Sequence, residues 1–116
     1  MRLVVAVHGR EVKTALFLAL NGVESVTIVA TATSTAELVS YCRAFRPDVV
    51  VVERGLPGRP LDEAIFKLGD SMKEGRVLLI DGDEALDLTR HAAYVEVFND
   101  ITDLVAALPE PGRMAG

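Results

Sequence analysis

The strongest constraint on the fold is an alternation between short apolar runs and longer amphipathic stretches. The apolar runs are four to five residues long, are rich in valine and isoleucine, and occupy residues 3–7, 26–30, 49–52, 77–80 and 95–98. Runs of this length without in–out alternation are typical of strands that are covered on both faces. The pattern therefore predicts five strands of one sheet.

Helical patterns fill the spaces between these runs. One face of the first pattern carries Val12, Ala15, Leu16, Ala19 and Leu20, and Gly22 follows it as a helix-ending residue. Helical patterns also predict a helix at residues 61 to about 72 and another at 84 to about 91, which Asp83 would cap. A last helix is predicted after Asp100, where an apolar stripe comprises Ile101, Leu104, Val105 and Leu108.

The second helix has the clearest boundaries in the sequence. Ser34 and Glu37 have the spacing of a capping box, which satisfies free amides at a helix start. Pro47 prevents continuation beyond about Phe45, because proline lacks the amide that a helix interior needs. We therefore predict a helix that begins at Ser34 and runs through Phe45.

Strands that alternate with helices predict an α/β fold. Right-handed crossovers place helices on both faces of a parallel sheet, which gives a three-layer αβα sandwich. With five units we predict a five-stranded parallel sheet in the flavodoxin-like order 2-1-3-4-5. Residues 1–108 form one predicted domain. The sequence PEPGRMAG at residues 109–116 has no apolar period and is predicted to be a tail or linker.

Composition excludes several function classes. Twelve basic and seventeen acidic residues give a net charge of −5, which argues against a nucleic-acid surface. A single cysteine, Cys42, excludes an internal disulfide and a multi-thiolate metal site. No signal peptide is visible, and no apolar run approaches the ~18–20 residues of a membrane span. We expect a cytoplasmic domain without a membrane span.

The segment at residues 46–58 reads RPDVVVVERGLPG and resembles the centre of response-regulator receiver (CheY-like) domains. That family typically reads RPDVVLxD, three residues and then PG, and the similarity extends over nearly the whole chain. The resemblance implies a switch in which a histidine kinase phosphorylates an aspartate at the end of the third strand. It also implies two acids that hold Mg²⁺ after the first strand, a threonine or serine after the fourth and a lysine after the fifth.

The residues at these five positions all depart from the family pattern; they are Val7, His8, Glu53, Asp81 and Asn99. Val7 cannot supply the oxygen ligand that Mg²⁺ prefers. Asp81 would add a carboxylate beside Glu53, and two unit charges about 4 Å apart interact by about 4 kcal/mol at an effective dielectric constant of about 20. We therefore predict a degenerate pseudo-receiver that is not phosphorylated, is not an enzyme, and uses no metal or cofactor.

The polar residues among these positions leave three interpretations open, because strand carboxyl ends form the ligand crevice of open α/β sheets. His8, Glu53 and Asp81 could bind a transition metal. The crevice could instead hold a small ligand, although no glycine-rich phosphate loop follows the first strand. We favour a third interpretation, in which His8 and Arg54 pair with Glu53 and Asp81 to form a fixed polar cap.

The function predicted from these observations is phosphorylation-independent interaction with a protein partner. Phe17 and Leu18 fall outside the predicted buried arc of the first helix. They are the candidate interface for a protein partner or for a second copy of the chain in a homodimer. In the alternative, the helix is rotated and buries one of the two residues. The architecture resembles the atypical receivers at the front of MinD-like ATPases that position Flp/Tad pili. The alternatives are a functional response regulator phosphorylated at Glu53 and a small-ligand-binding flavodoxin-like domain.

Overall fold

The chain folds around a five-stranded sheet. The computed structural model describes residues 1–58, 60–68, 75–80, 95–98 and 100–108. Within these ranges the strands are β1 (Arg2–Ala6), β2 (Thr27–Ala32), β3 (Val49–Glu53), β4 (Arg76–Ile80) and β5 (Val95–Phe98). The described helices are α1 (Arg10–Leu20), α2 (Thr35–Phe45), α3 (Leu61–Leu68) and α4 (Ile101–Ala107).

The sheet is parallel throughout and has the order β2-β1-β3-β4-β5, which confirms the predicted topology. The central strand β3 pairs with β1 on one side and with β4 on the other. Ala6 at the end of β1 pairs with Val52, so Glu53 extends one residue farther at the same edge. This register places the β3 carboxylate next to the loop that follows β1.

Two apolar cores lie on opposite faces of the sheet. One contains Leu38 of α2 and Ile65 of α3, and the other contains Leu16 of α1 and Leu104 of α4. The valines of β3 alternate between the two cores and are all at least 98% buried. Burial of each such side chain contributes about 1.5–3 kcal/mol, which explains why an unbroken valine run forms the middle of the sheet. The predicted three-layer αβα sandwich is confirmed.

The helix start predicted from Ser34 and Glu37 is confirmed, but the Glu37 carboxylate binds Thr33, the residue before the N-cap, where a capping box would have it bind the Ser34 amide. The Ser34 hydroxyl accepts a hydrogen bond from the Glu37 amide at 3.2 Å. The Glu37 carboxylate accepts hydrogen bonds from the amide and the hydroxyl of Thr33 at 2.8 and 3.0 Å, and these bonds lower the pKa of Glu37. The helix ends at Phe45, and Arg46 takes the left-handed conformation before Pro47, with φ of 47°.

The buried face of α1 differs from the prediction. Leu16 and Leu20 are buried, and Phe17 is half-buried against the same core. Ala15, which was predicted on the buried face, is exposed, and so is Leu18. The helix is therefore rotated so that it buries one of its two candidate interface residues, because an aromatic ring removes far more apolar area from water than a methyl group does.

The last described helix begins as predicted, since the Asp100 carboxylate accepts a hydrogen bond from the Thr102 amide at 2.8 Å. Its carboxyl end is fixed by Arg76, which donates hydrogen bonds to the carbonyls of Ala107 and Leu108 at 2.8 and 3.2 Å. The same guanidinium pairs with both oxygens of Glu96 at 2.8 and 2.9 Å. Arg76 therefore links β4, β5 and α4.

Some predicted segments lie outside the described residues: the helix at 84–91, residues 69–72 of the third helix and the tail at 109–116. Within the described ranges, no helix has both the length and the apolar character needed to cross a membrane.

Candidate functional site

The carboxyl ends of β1, β3 and β4 lie at the same edge of the sheet. Val7 and His8 follow β1, Glu53 is the last residue of β3, and Ile80 is the last residue of β4. The chain therefore brings the β1–α1 loop next to the Glu53 side chain. Asp81 and Asn99 lie outside the described residues.

The Glu53 carboxylate is bound by the backbone of the β1–α1 loop. Its Oε1 atom accepts hydrogen bonds from the amides of His8, at 2.6 Å, and Gly9, at 2.9 Å. Gly9 is the residue that caps the start of α1, and helix amino termini favour negative charge. Hydrogen bonds to a charged acceptor contribute about 1.5–3 kcal/mol each, so the carboxylate anchors α1 to β3.

Gly9 leaves room for the Glu53 carboxylate. A Cβ atom at position 9 would lie 2.9 Å from Glu53 Oε2, so the free end of the glutamate would have to shift. The φ of Gly9 is −69°, which any residue can adopt, so the only restriction on position 9 is the space taken by the carboxylate. Sequence reasoning missed Gly9, because no glycine-rich motif marks it.

The side chains of Val7 and His8 lie in different environments. Val7 is 1% exposed and belongs to the apolar core between the sheet and α1. His8 is exposed, and it is its backbone amide that donates the hydrogen bond to Glu53. Across residues 1–58, 60–68, 75–80, 95–98 and 100–108, no group of three or more His, Cys, Asp or Glu residues could hold a metal ion.

Comparison with solved structures identifies the fold. The signal receiver domain of the response regulator NarL from Mycobacterium tuberculosis matches with a TM-score of 0.80 and 23% identity, over 97% of this chain and 95% of that chain. A LuxR-family response regulator from Aurantimonas sp. matches with a TM-score of 0.79 and 21% identity, over 99% of this chain and 85% of that chain. The response regulator domain of Thermotoga maritima CheB matches with a TM-score of 0.73 and 17% identity, over 99% of this chain and 95% of that chain. The chain has the receiver fold.

The predicted resemblance is therefore confirmed at the level of the fold. No family model matches the sequence, and no curated protein matches it. At sequence identities this low, structural similarity to receiver domains shows a shared architecture, whereas function depends on the residues of the site.

The surface of this receiver fold separates the two candidate interface residues. Leu18 is 69% exposed, whereas Phe17 packs against the core. The only other large apolar side chain exposed in the described part of the chain is Phe45, at 37%, whose ring lies 6.2 Å from that of Tyr41. Leu18 is thus the more accessible of the two α1 candidates.

Cys42 lies in the core on the inner side of α2. Burial raises the pKa of its thiol to about 12, so the thiol stays protonated at neutral pH. Because the thiolate is the nucleophilic form, this cysteine has a structural role.

Proposed function

We propose that this chain is a pseudo-receiver, a signalling domain of the receiver fold that binds a protein partner without being phosphorylated. The observation that carries the proposal is the Glu53 carboxylate held by the amides of His8 and Gly9. The carboxylate that stands at the phosphorylated position of the family already has an internal binding partner.

Phosphoryl transfer depends on positioning and on neutralising the charge of the transferred group. Val7 is buried and apolar where the resemblance implies a magnesium-binding acid. A phosphoryl group on Glu53 would also have to displace the hydrogen bonds from the β1–α1 loop. Both features support a site that keeps one conformation instead of switching between two.

Acetyl phosphate with Mg²⁺, followed by intact-mass measurement, tests this proposal. We expect no phosphoryl adduct on the wild-type chain, and a receiver of known activity is the positive control. The variant Glu53→Asp is the matched comparison, because it restores the acceptor type of the family while Val7 still lacks a metal-binding oxygen. A stoichiometric adduct on Glu53 would support the alternative, a functional response regulator, and would overturn the proposal.

The partner surface proposed on α1 is centred on Leu18, next to the half-buried Phe17, and includes self-association as a homodimer. The exposed fraction of Leu18 supports this choice. We expect Leu18→Glu to lower the sedimentation coefficient of any dimer, whereas Ala15→Glu, at another exposed position of the same helix, tests for an effect of charge alone. Equal sedimentation coefficients for wild type and Leu18→Glu would show that Leu18 is not part of an interface.

The finer proposal is that the domain acts in the cytoplasm as the N-terminal part of a longer protein, such as a MinD-like ATPase that positions Flp/Tad pili. Its support is the resemblance in architecture to the atypical receivers of those ATPases. The reading frame beyond Gly116 tests it directly. An ATPase domain downstream is the expected result, and a stop codon after Gly116 would contradict the proposal.

A further inference from the structure

A groove between α2 and α3 lies apart from the strand-end site. Its volume is about 180 Å³, and it is lined by Thr35, Ala36, Val39, Arg43, Glu63, Ala64 and Lys67. None of the residues at the Glu53 site lines it. No sequence pattern predicts this groove, because its lining comes from two helices that meet only in the folded chain.

Three of the lining residues are small and apolar. Ala36, Val39 and Ala64 present methyl and isopropyl groups, which leave the space open. A dry apolar cavity of about 150 Å³ is large enough to bind benzene. The groove is therefore large enough for one aromatic or branched side chain of a bound molecule.

Two cations stand at the groove, one from each helix. Arg43 is exposed and forms no hydrogen bond or ion pair with the described residues. Lys67 lies 3.8 Å from Glu63, and both side chains are more than 40% exposed, so this pair is weak and exchangeable. With Arg43 and Lys67 against the one carboxylate of Glu63, the lining has a formal charge of +1 in a chain whose net charge is −5, which favours an anionic partner at this place over the rest of the surface.

Basic residues are also favoured near helix carboxyl ends for reasons unrelated to binding. Arg43 and Lys67 both lie in last turns. That effect explains the presence of the charges but not their position on either side of one apolar groove. Arg46, which follows the same helix and does not line the groove, has the same helix-end explanation and is therefore the control residue.

Thr35, one of the lining residues, has a buried hydroxyl. The residue is 1% exposed, and its hydroxyl has no hydrogen-bond partner among the residues that the structure describes. A Cβ atom on Gly58 would lie 2.5 Å from this hydroxyl, so the glycine leaves the room that the threonine occupies. Because this hydroxyl is fully buried, it takes no part in the binding proposed for the groove.

We propose that the α2–α3 groove binds an acidic peptide segment of a protein partner. One apolar side chain of the segment fills the groove over Ala36, Val39 and Ala64, and flanking carboxylates pair with Arg43 and Lys67. This inference rests on the proposed function, since it names the surface and the chemistry by which the domain would recognise a partner.

The probe is a five-residue peptide with a central phenylalanine and two glutamates on each side, titrated into the ¹⁵N-labelled full chain and followed by amide NMR. We expect saturable shifts at Ala36, Val39 and Ala64, with a Kd in the millimolar range for so short a segment. Two control peptides carry lysine in place of glutamate, or glycine in place of phenylalanine. Each control should bind at least about fivefold more weakly, because each removes one of the two contacts.

Matched variants locate the site. Arg43→Glu should weaken binding at least about fivefold, whereas Arg46→Glu makes the same charge change outside the groove and should leave it within about twofold. Ala36→Leu fills the groove from an exposed position and should abolish the shifts. Ala44→Leu adds the same volume at an exposed position of the same helix that does not line the groove, and should have no effect.

Absence of saturable shifts, equal binding of the lysine peptide, or equal weakening by Arg43→Glu and Arg46→Glu would each overturn the groove assignment. The phosphorylation test uses neither the peptide nor these variants. An unoccupied groove with no phosphoryl adduct would therefore refute this inference alone, whereas an adduct on Glu53 would refute the proposed function whatever the peptide does.

Discussion

The contact between Glu53 and the β1–α1 loop predicts a defined loss of stability when the carboxylate is removed. Glu53→Ala deletes two charge-assisted hydrogen bonds, to the amides of His8 and Gly9. Such bonds contribute about 1.5–3 kcal/mol each when well shielded, and water can replace the bond to the exposed His8 amide. We expect a loss of about 2–3 kcal/mol in the free energy of unfolding.

The assay is urea unfolding at neutral pH together with thermal unfolding. For a chain of this size, 1 kcal/mol corresponds to about 4 °C, so the melting temperature should fall by about 8–12 °C. Glu53→Gln keeps the shape and one acceptor oxygen but loses the charge, and should lose roughly half as much stability. Glu24→Ala, at an exposed loop glutamate, is the control and should change stability by less than about 0.5 kcal/mol.

Gly9→Ala provides an independent test of the geometry. In the wild-type background it should destabilise the fold, because the new Cβ atom would lie 2.9 Å from Glu53 Oε2. In the Glu53→Ala background the same change should cost much less, because the oxygen is gone. Strict additivity of the two substitutions, or a loss below about 0.5 kcal/mol for Glu53→Ala, would refute the anchoring role of Glu53.

Two further predictions concern the core and the opposite end of the sheet. Arg76→Ala should cost about 2–3 kcal/mol, and Glu96→Ala less, because the bonds from Arg76 to Ala107 and Leu108 remain; equal losses would show that those carbonyl contacts contribute nothing. Burial raises the pKa of Cys42 from 9.0 to about 12, so the stability linked to the protonated thiol is complete below pH 9 and is lost as the pH rises toward 12. Between pH 8 and pH 10.5 the free energy of unfolding of the wild type should fall by about 2 kcal/mol more than that of Cys42→Ala. A difference between the two proteins that stays constant over this pH range would contradict the buried thiol.

Most of the fold followed from patterns within short stretches of the sequence. The valine run of β3 predicts a strand covered on both faces, and Ser34 with Glu37 predicts the start of α2. Both features depend on residues a few positions apart, whose hydrogen bonds and burial are set by local geometry. The rotation of α1 was not determined in this way, because Ala15 and Phe17 compete for the same core and only packing against the sheet decides between them.

At the candidate site, too, some features could be predicted from the sequence and others depend on how the chain folds. The order of residues along the chain is enough to show which of them stand at the strand ends, and therefore that Val7 and Glu53 depart from the receiver pattern. The role of Glu53 depends on folding, since its partner Gly9 lies 44 positions away and is brought within 2.9 Å by the pairing of β1 with β3. The α2–α3 groove likewise exists only where two helices meet, because a cavity is a property of packing between elements and not of any one segment.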